Sequence, residues 1–467
     1  MMMNIRFLGA SRQVTGSKFL LETDDRLLLV DCGLYQERAL LHRNWDRFPV
    51  PPGDIEAVLL THAHLDHCGY IPRLAADGFK GRILATAPTV ELARIILLDS
   101  AHIQEEDAAF KKKRHAKEGR TGPHPEIPLY TIADAEESLP LFEPVAYGKR
   151  IAVGRRTSVT FHDAGHILGS AMIEVEAGEG SDVRRILFSG DIGRYDNPLV
   201  RDPARHIGTD YLVMESTYGD REHDDEAPVD EILARIIGET AGRGGKVVVP
   251  VFAMERAQEL LYILGILRRA GRIPNIPVFL DSPMAVEVTQ VFTRYPSYMD
   301  EEAGKILRSG HRLFEFPGLR PTPTAADSKA INAVAGPAVI LAGSGMVTGG
   351  RIKHHLKQTI GRPETTVLFV GFQAQGTLGR TILDGAQEVR ILGETLPVRA
   401  RIVRIGGFSA HAGKNELLRW LRGFERRPRR LFLCHGEEGA SLSLAEELKK
   451  DGWKTVVPRY GDEFELT

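Results

Sequence analysis

The sequence is poor in cysteine: among 467 residues there are three, Cys32, Cys68 and Cys434, an odd number without CxxC spacing. That excludes a disulfide framework and a cysteine-ligated zinc. Each cysteine stands beside a residue of chemical interest, Asp31, His67 or His435, and reads as a small buried hydrophobe on a core strand. An excess of charge of one sign is lacking too. Lys and Arg number 60 against 62 Asp and Glu, a formal net charge of −2, so no general basic field attracts a polyanion. Any polyanion site must be local or supplied by metal. No apolar run reaches the roughly 18–20 residues of a membrane span. The opening Met1-Met2-Met3-Asn4-Ile5-Arg6-Phe7-Leu8 has no signal-peptide apolar core, so a cytoplasmic protein without a membrane partner is expected. With 43% hydrophobic and 26% charged residues, and no repeat or low-complexity tract, the composition is that of a globular protein of two or three domains.

What is present alternates strands and helices, an α/β pattern. Short β runs occupy 5–8, 18–22, 26–31 and 57–61, and helical patterns follow over 70–76 and 89–102. Between Gln104 and Tyr130 lies a polar stretch with Lys111-Lys112-Lys113-Arg114-His115, then Gly119, Gly122, Pro123, Pro125 and Pro128. It reads as an exposed insertion whose basic run is a solvated helix face, with contact to a phosphate backbone as the alternative. Strands resume at 151–161, 171–175, 185–189 and 211–215. Beyond a densely charged segment, 220–230, helix and strand alternate as βα units of a parallel sheet, a second domain over roughly 217–400.

The sharpest feature is Thr61-His62-Ala63-His64-Leu65-Asp66-His67, where an apolar strand ends. Three imidazoles and a carboxylate leave one tight turn, a donor set that suits zinc. A two-zinc site needs further donors. His166, in Asp163-Ala164-Gly165-His166-Ile167-Leu168-Gly169-Ser170, and Asp191, in Phe188-Ser189-Gly190-Asp191-Ile192-Gly193, stand at strand ends and supply them.

The succession Asp31, His62-x-His64-x-Asp66-His67, His166, Asp191 resembles the metallo-β-lactamase superfamily. Three later features resemble its β-CASP branch of nucleic-acid hydrolases: Glu215 in Met214-Glu215-Ser216-Thr217-Tyr218-Gly219 as motif A, His411 in Gly407-Phe408-Ser409-Ala410-His411 as motif B, and His435 in Cys434-His435-Gly436-Glu437 as motif C. The segments 250–259 and 344–351 also look like β-CASP sequence. The resemblance implies an αββα sandwich, residues 1–216 and 402–467, with a β-CASP α/β domain inserted at 217–401. It further implies two Zn²⁺ ions per chain. One would be held by His62, His64, His166 and a shared Asp191, the other by Asp66, His67, Asp191 and His435, with Asp31 behind them orienting a ligand.

By the same resemblance the reaction is hydrolysis of RNA phosphodiester bonds by a metal-activated hydroxide, leaving 5′-phosphate and 3′-hydroxyl. Asp66 and Asp31 take part beside the metals, and His411, held by Glu215, protonates the leaving oxygen. Histidine at motif C favours single-stranded RNA over DNA, because DNA-directed members usually carry an aliphatic residue there. Gly343-Ser344-Gly345 and Thr348-Gly349-Gly350-Arg351 could offer backbone N–H groups and a guanidinium to phosphate, with Lys353, His354, His355, Arg256 and Ser282 as further substrate contacts. The competing readings are a DNA nuclease, a thioesterase or lactonase of the same fold, and a noncatalytic RNA-binding scaffold. A thioesterase or lactonase would share the His62–His67 cluster without needing Glu215, His411 or a large insertion. Exo or endo action and a homodimer are left open.

Overall fold

The computed structural model describes residues 3–119, 121, 126–223, 228–371 and 373–467. Gly122, Pro123 and Pro125 of the expected insertion lie outside the described residues. The chain divides into two units, Met1–Glu222 with His411–Thr467, and His223–Ala410.

In the first unit, alternation builds two sheets with one apolar face each. Met3, Ile5 and Phe7 are buried while Asn4 and Arg6 between them are half-buried, the period of a strand packed on one side. One seven-stranded sheet runs Glu463–Glu465, Met3–Phe7, Phe19–Thr23, Leu27–Val30, Ala57–Leu59, Arg82–Thr86, Phe142–Val145. The other runs Thr455–Val456, Arg430–Cys434, Tyr211–Glu215, Arg184–Phe188, Ala171–Ala177, Thr157–Asp163, Ile151–Ala152. Between them lies a core rich in phenylalanine, with Phe7 on Phe432 at 5.2 Å and Phe19 on Phe188 at 5.9 Å between ring centres. Helices cover the outer faces. Ala87–Glu118 lies along Arg82–Thr86 and Phe142–Val145, and Lys414–Leu421 and Glu438–Lys450 close a second core with Met172, Leu187, Leu212 and Trp420. This is the αββα sandwich, and all three cysteines are buried in it.

The four strands from Leu27–Val30 to Phe142–Val145 are mutually parallel, and so are Arg184–Phe188, Tyr211–Glu215 and Arg430–Cys434. Asp31, the His62–His67 turn, Asp191, Glu215 and His435 therefore all follow the carboxyl ends of parallel strands, where open α/β sheets place their sites.

Two expectations need correction. The helix expected to stop near His102 continues to Glu118: Thr86 caps its start, no Gly or Pro follows its first turn, and Gly119 ends it in the left-handed conformation. The basic run Lys111–His115 forms the last turns of this helix, with Lys111–Arg114 exposed as expected of a solvated face and His115 buried. The single strand expected over 151–161 is an antiparallel pair, Ile151–Ala152 with Thr157–Asp163, folded back at Gly154.

The second unit holds a six-stranded sheet in the order Leu319–Pro321, Val278–Asp281, Ala338–Ala342, Lys246–Pro250, Thr366–Val370, Arg401–Ile405, with every pairing parallel. Three of its inner strands, Val278–Asp281, Ala338–Ala342 and Thr366–Val370, are buried along their whole length, and Lys246–Pro250 from Val247 on, as a sheet flanked on both faces requires. Because Arg401–Ile405 pairs with Thr366–Val370, that strand belongs to this unit. The chain returns to the sandwich at His411, past the boundary at 402 drawn from sequence.

Candidate active site

The turn after Ala57–Leu59 is shaped by contacts behind it. Asp31 takes a left-handed backbone (φ 58°), and its carboxylate accepts the Thr61 N–H at 2.8 Å, the Thr61 hydroxyl at 2.9 Å and the His67 Nδ1–H at 2.7 Å. The Thr61 hydroxyl, spent as a donor on Asp31, accepts from His62 Nδ1 at 3.0 Å. Thr217 repeats the device, donating to the His435 carbonyl at 2.9 Å and facing His435 Nδ1 at 3.1 Å. In all three rings the bond at Nδ1 leaves Nε2 turned toward the other donors. The sequence reading missed Thr61 and Thr217, although both sit inside the quoted motifs, adjoining His62 and two residues after Glu215.

Two donor sets result. In one, His62 Nε2 lies 3.0 Å from His64 Nδ1, His166 Nε2 lies 3.3 Å from the same atom, and Asp191 Oδ2 lies 3.4 Å from His62 and 3.5 Å from His166. Four ligands held about 2.0–2.1 Å from a tetrahedral zinc stand about 3.3–3.4 Å from one another. In the other, His67 Nε2 is 3.1 Å from His435 Nε2 and 3.4 Å from Asp191 Oδ1, and His435 Nε2 is 3.4 Å from Asp66 Oδ2. Asp191 thus faces each set with a different oxygen, and its buried Oδ1 has no hydrogen-bond partner. Backbone contact brings two of the loops together: a Cβ on Gly193 would lie 1.7 Å from the Gly165 carbonyl oxygen.

Electrostatics fit the same cations. Burial and neighbouring imidazoles push His64 down to about 3 and lower His62 and His166, so these rings are neutral, as metal ligation requires. Burial alone would raise Asp66 and Asp191, but the imidazoles facing them outweigh it and both carboxyls stay ionised. His67 is the exception. Burial would lower it, yet Asp191, Asp31 and Asp66 together raise it to about 10. Three carboxylates around one ring call for positive charge, which a divalent cation meets without that proton. Asp31→Asn should weaken metal affinity about 10–100-fold, because His67 loses the charge that orients it; competition with a chromophoric chelator measures this.

Beside these sets, the fully buried Glu215 accepts the Ile192 N–H at 2.6 Å and faces His411 Nδ1 at 3.2 Å from both oxygens. His411 bridges to Gly193 as a β pair and packs against the His166 ring, tilted by 47° with ring centres 4.6 Å apart. Burial would lower its pKa, but Glu215 and Asp191 raise it to about 9, so the ring is charged at neutral pH.

The positions expected to contact substrate are placed differently. The Ser344 hydroxyl accepts the N–H groups of Thr348 and Gly349 at 3.1 and 3.2 Å, which closes this loop on itself, and the Gly345 carbonyl accepts from Gln373 Nε2 at 3.0 Å. Arg351 is anchored inward, donating to Asp281 Oδ1 at 2.7 Å and to the Thr322 and Pro323 carbonyls. His355, expected along a substrate path, is buried with Nε2 2.6 Å from Asp281 Oδ2. Arg256 is buried too, paired with Glu259 and lying over the Phe408 ring. Ser282 caps the helix Pro283–Arg294. Lys353 and His354 keep exposed surface. Arg351 and His355 thus meet at Asp281. Burial would raise that carboxyl, but bonds from His355, Ser328, Arg351 and Thr322 hold it at about 2. A depressed folded pKa stabilises above the unfolded value near about 3.9 and loses that contribution as pH falls toward the folded one. Asp281→Asn should therefore lower the thermal midpoint at neutral pH and flatten its fall between about pH 5 and pH 3, as calorimetry on both chains would read.

A sandwich with clustered His and Asp donors at the carboxyl ends of its strands defines a metal-dependent hydrolase. The model of the metallo-beta-lactamase superfamily matches residues 13–231, that of the Beta-Casp domain residues 257–382, and that of the Zn-dependent metallo-hydrolase RNA specificity domain residues 395–458. A ribonuclease of Thermus thermophilus is 40% identical over 460 residues, covering 98% of this chain and 99% of that one. The transcription termination factor FttA of Methanocaldococcus jannaschii is 34% identical over 461 residues, 96% of this chain and 69% of its own. A solved Enterococcus faecalis protein of unknown function shares the fold across 100% of both chains, with TM-score 0.57 and 14% identity. The chain belongs to the β-CASP family of the metallo-β-lactamase superfamily.

Proposed function

We propose that the protein is a zinc-dependent ribonuclease acting on single-stranded RNA in the cytoplasm. The observation that carries the reading is the pair of donor sets that share Asp191 and adjoin the Glu215–His411 couple. The naming of the Thermus thermophilus relative as a ribonuclease supports RNA as substrate, as does the RNA specificity domain match across 395–458, which includes His411 and His435. No helix among the described residues is long and apolar enough to cross a membrane.

One ion would be held by His62, His64, His166 and Asp191, the other by Asp66, His67, His435 and Asp191. Zinc held there would supply charge against the phosphate and lower the pKa of water to give a nucleophile at neutral pH. The protein's residues do the rest. Asp31, Thr61 and Thr217 hold His67, His62 and His435 in the ligating tautomer. Glu215 keeps His411 charged through Nδ1, so its other nitrogen can give a proton to the departing 3′-oxygen. Water rather than the 2′-hydroxyl attacks, so the products carry 5′-phosphate and 3′-hydroxyl ends.

Incubating the purified, metal-quantified protein with 5′- and 3′-labelled single-stranded RNA, beside matched single-stranded DNA, tests this. Chelator-sensitive cleavage of RNA is expected. Stepwise loss of the 5′ label would make it an exonuclease, and discrete internal fragments an endonuclease. A zinc-loaded protein that leaves RNA intact, or cuts only DNA, overturns the ribonuclease reading.

A further inference from the structure

A second group of donors lies in the sandwich and shares no residue with the two sets above. His162 is on the strand Thr157–Asp163 and Glu174 on the strand Ala171–Ala177. His162 pairs in register with Met172, so Glu174, two residues on, shares its face of the sheet. His206 reaches them from the coil that precedes Tyr211–Glu215. His162 Nε2 stands 3.5 Å from Glu174 Oε2, and His206 Nε2 stands 3.8 Å from the same oxygen. Both nitrogens are buried without a hydrogen-bond partner, and His206 is 8% exposed.

Two imidazole nitrogens aimed at one carboxylate oxygen at 3.5 and 3.8 Å, the first at the outer limit of a hydrogen bond and the second beyond it, stand near the separation of ligands around one ion and have the geometry of a metal-binding donor set. Two histidines and a glutamate are a known donor set for zinc. The surroundings support each donor. The His206 ring bonds the Gly208 backbone, the kind of contact that orients a ligating imidazole, and packs 5.7 Å from the Phe424 ring. Arg185 sits 3.7 Å from Glu174, but from Oε1, and its Nε is engaged with Glu176 at 2.6 Å. Oε2 is left to the two histidines.

We propose that His162, Glu174 and His206 bind a third divalent cation, zinc by its donor set, with solvent completing the coordination where the His162 side chain is 27% exposed. Its role is structural. The coil that carries His206 links the strand end at Asp191 to the strand that ends at Glu215. That coil is already tied down by the Ala204 N–H on the Asp163 carbonyl at 2.9 Å and by Trp420 Nε1 on the Ala204 carbonyl at 3.1 Å. A cation at His206 would clamp it to two strands of the sheet and stabilise the folded chain by mass action.

Zinc content of the full-length protein after dialysis against trace metal, read by mass spectrometry, tests the site independently of RNA cleavage. Wild type should carry one more equivalent than Glu174→Gln or His206→Gln, whose cleavage activity should be unchanged and whose thermal midpoints should no longer rise with added zinc. A second background covers variants that fold poorly. In His62→Ala with Asp191→Ala, which disables both active-centre sets, one equivalent should remain and be lost on adding Glu174→Gln. Equal zinc content in wild type and both folded single variants, or no residual equivalent in the second background, overturns the proposal.

Discussion

Asp191→Ala is expected to empty both metal positions of the active centre at once and reduce turnover by at least about 10³-fold, the scale of several kcal/mol of transition-state stabilisation. Its two oxygens divide the work: Oδ2 faces His62 and His166 at 3.4 and 3.5 Å, and Oδ1 faces His67 at 3.4 Å. Any other ligand belongs to one set, so its loss leaves the second set complete. Asp191→Asn should fare little better. The amide keeps the shape but removes the charge, and its NH₂ group presents hydrogens to an ion instead of lone pairs. Metal analysis and RNA cleavage on the same samples check this. A variant that keeps both equivalents and its activity would show that the sets do not share Asp191.

How far each part could be read from sequence follows from how its donors are spaced. The cluster from His62 to His67 is legible because four donors fall in six residues, and the structure brings them together with His166, Asp191 and His435. Asp31 is legible as a strand end, but its hold on Thr61 and His67 needs a left-handed backbone that no pattern announces. The second unit is harder. Arg351 and His355 look like phosphate contacts in isolation, since a side chain free at the surface and one anchored inward are spelled alike. What captures them is Asp281, some 70 residues earlier and brought beside them by parallel strand pairing. His162, Glu174 and His206 escape notice for the same reason: each alone is an ordinary polar residue, and only the sheet register aligns the first two. The strand Arg401–Ile405 reads equally well as the last of one sheet or the first of the next, and hydrogen bonds to Thr366–Val370 decide it.

His411→Ala should lower the cleavage rate about 10²–10⁴-fold, the range for removing a positioned proton donor, while zinc content stays unchanged. Two roles are open to this ring by geometry alone. It stands within ligand distance of Asp191 and His435, and it also faces Glu215 with Nδ1 3.2 Å from either oxygen. The Glu215 contact is the shorter, against 3.9 Å to Asp191 Oδ2, and a ring that shares its Nδ1 proton with a buried carboxylate has no lone pair there for a metal. That makes it a proton donor and leaves the ligand sets complete without it. Glu215→Gln separates the charge from the architecture. The amide oxygen can still accept the Ile192 N–H, so the loop that carries Asp191 keeps its shape, but His411 loses the anion that keeps it protonated. The variant should therefore retain zinc and fold while losing rate, by less than His411→Ala because the imidazole is still in place. Added imidazole should restore part of the activity to His411→Ala and none to Glu215→Gln. Loss of zinc from His411→Ala would make the residue a ligand, and full activity in Glu215→Gln would remove the carboxylate from the proton transfer.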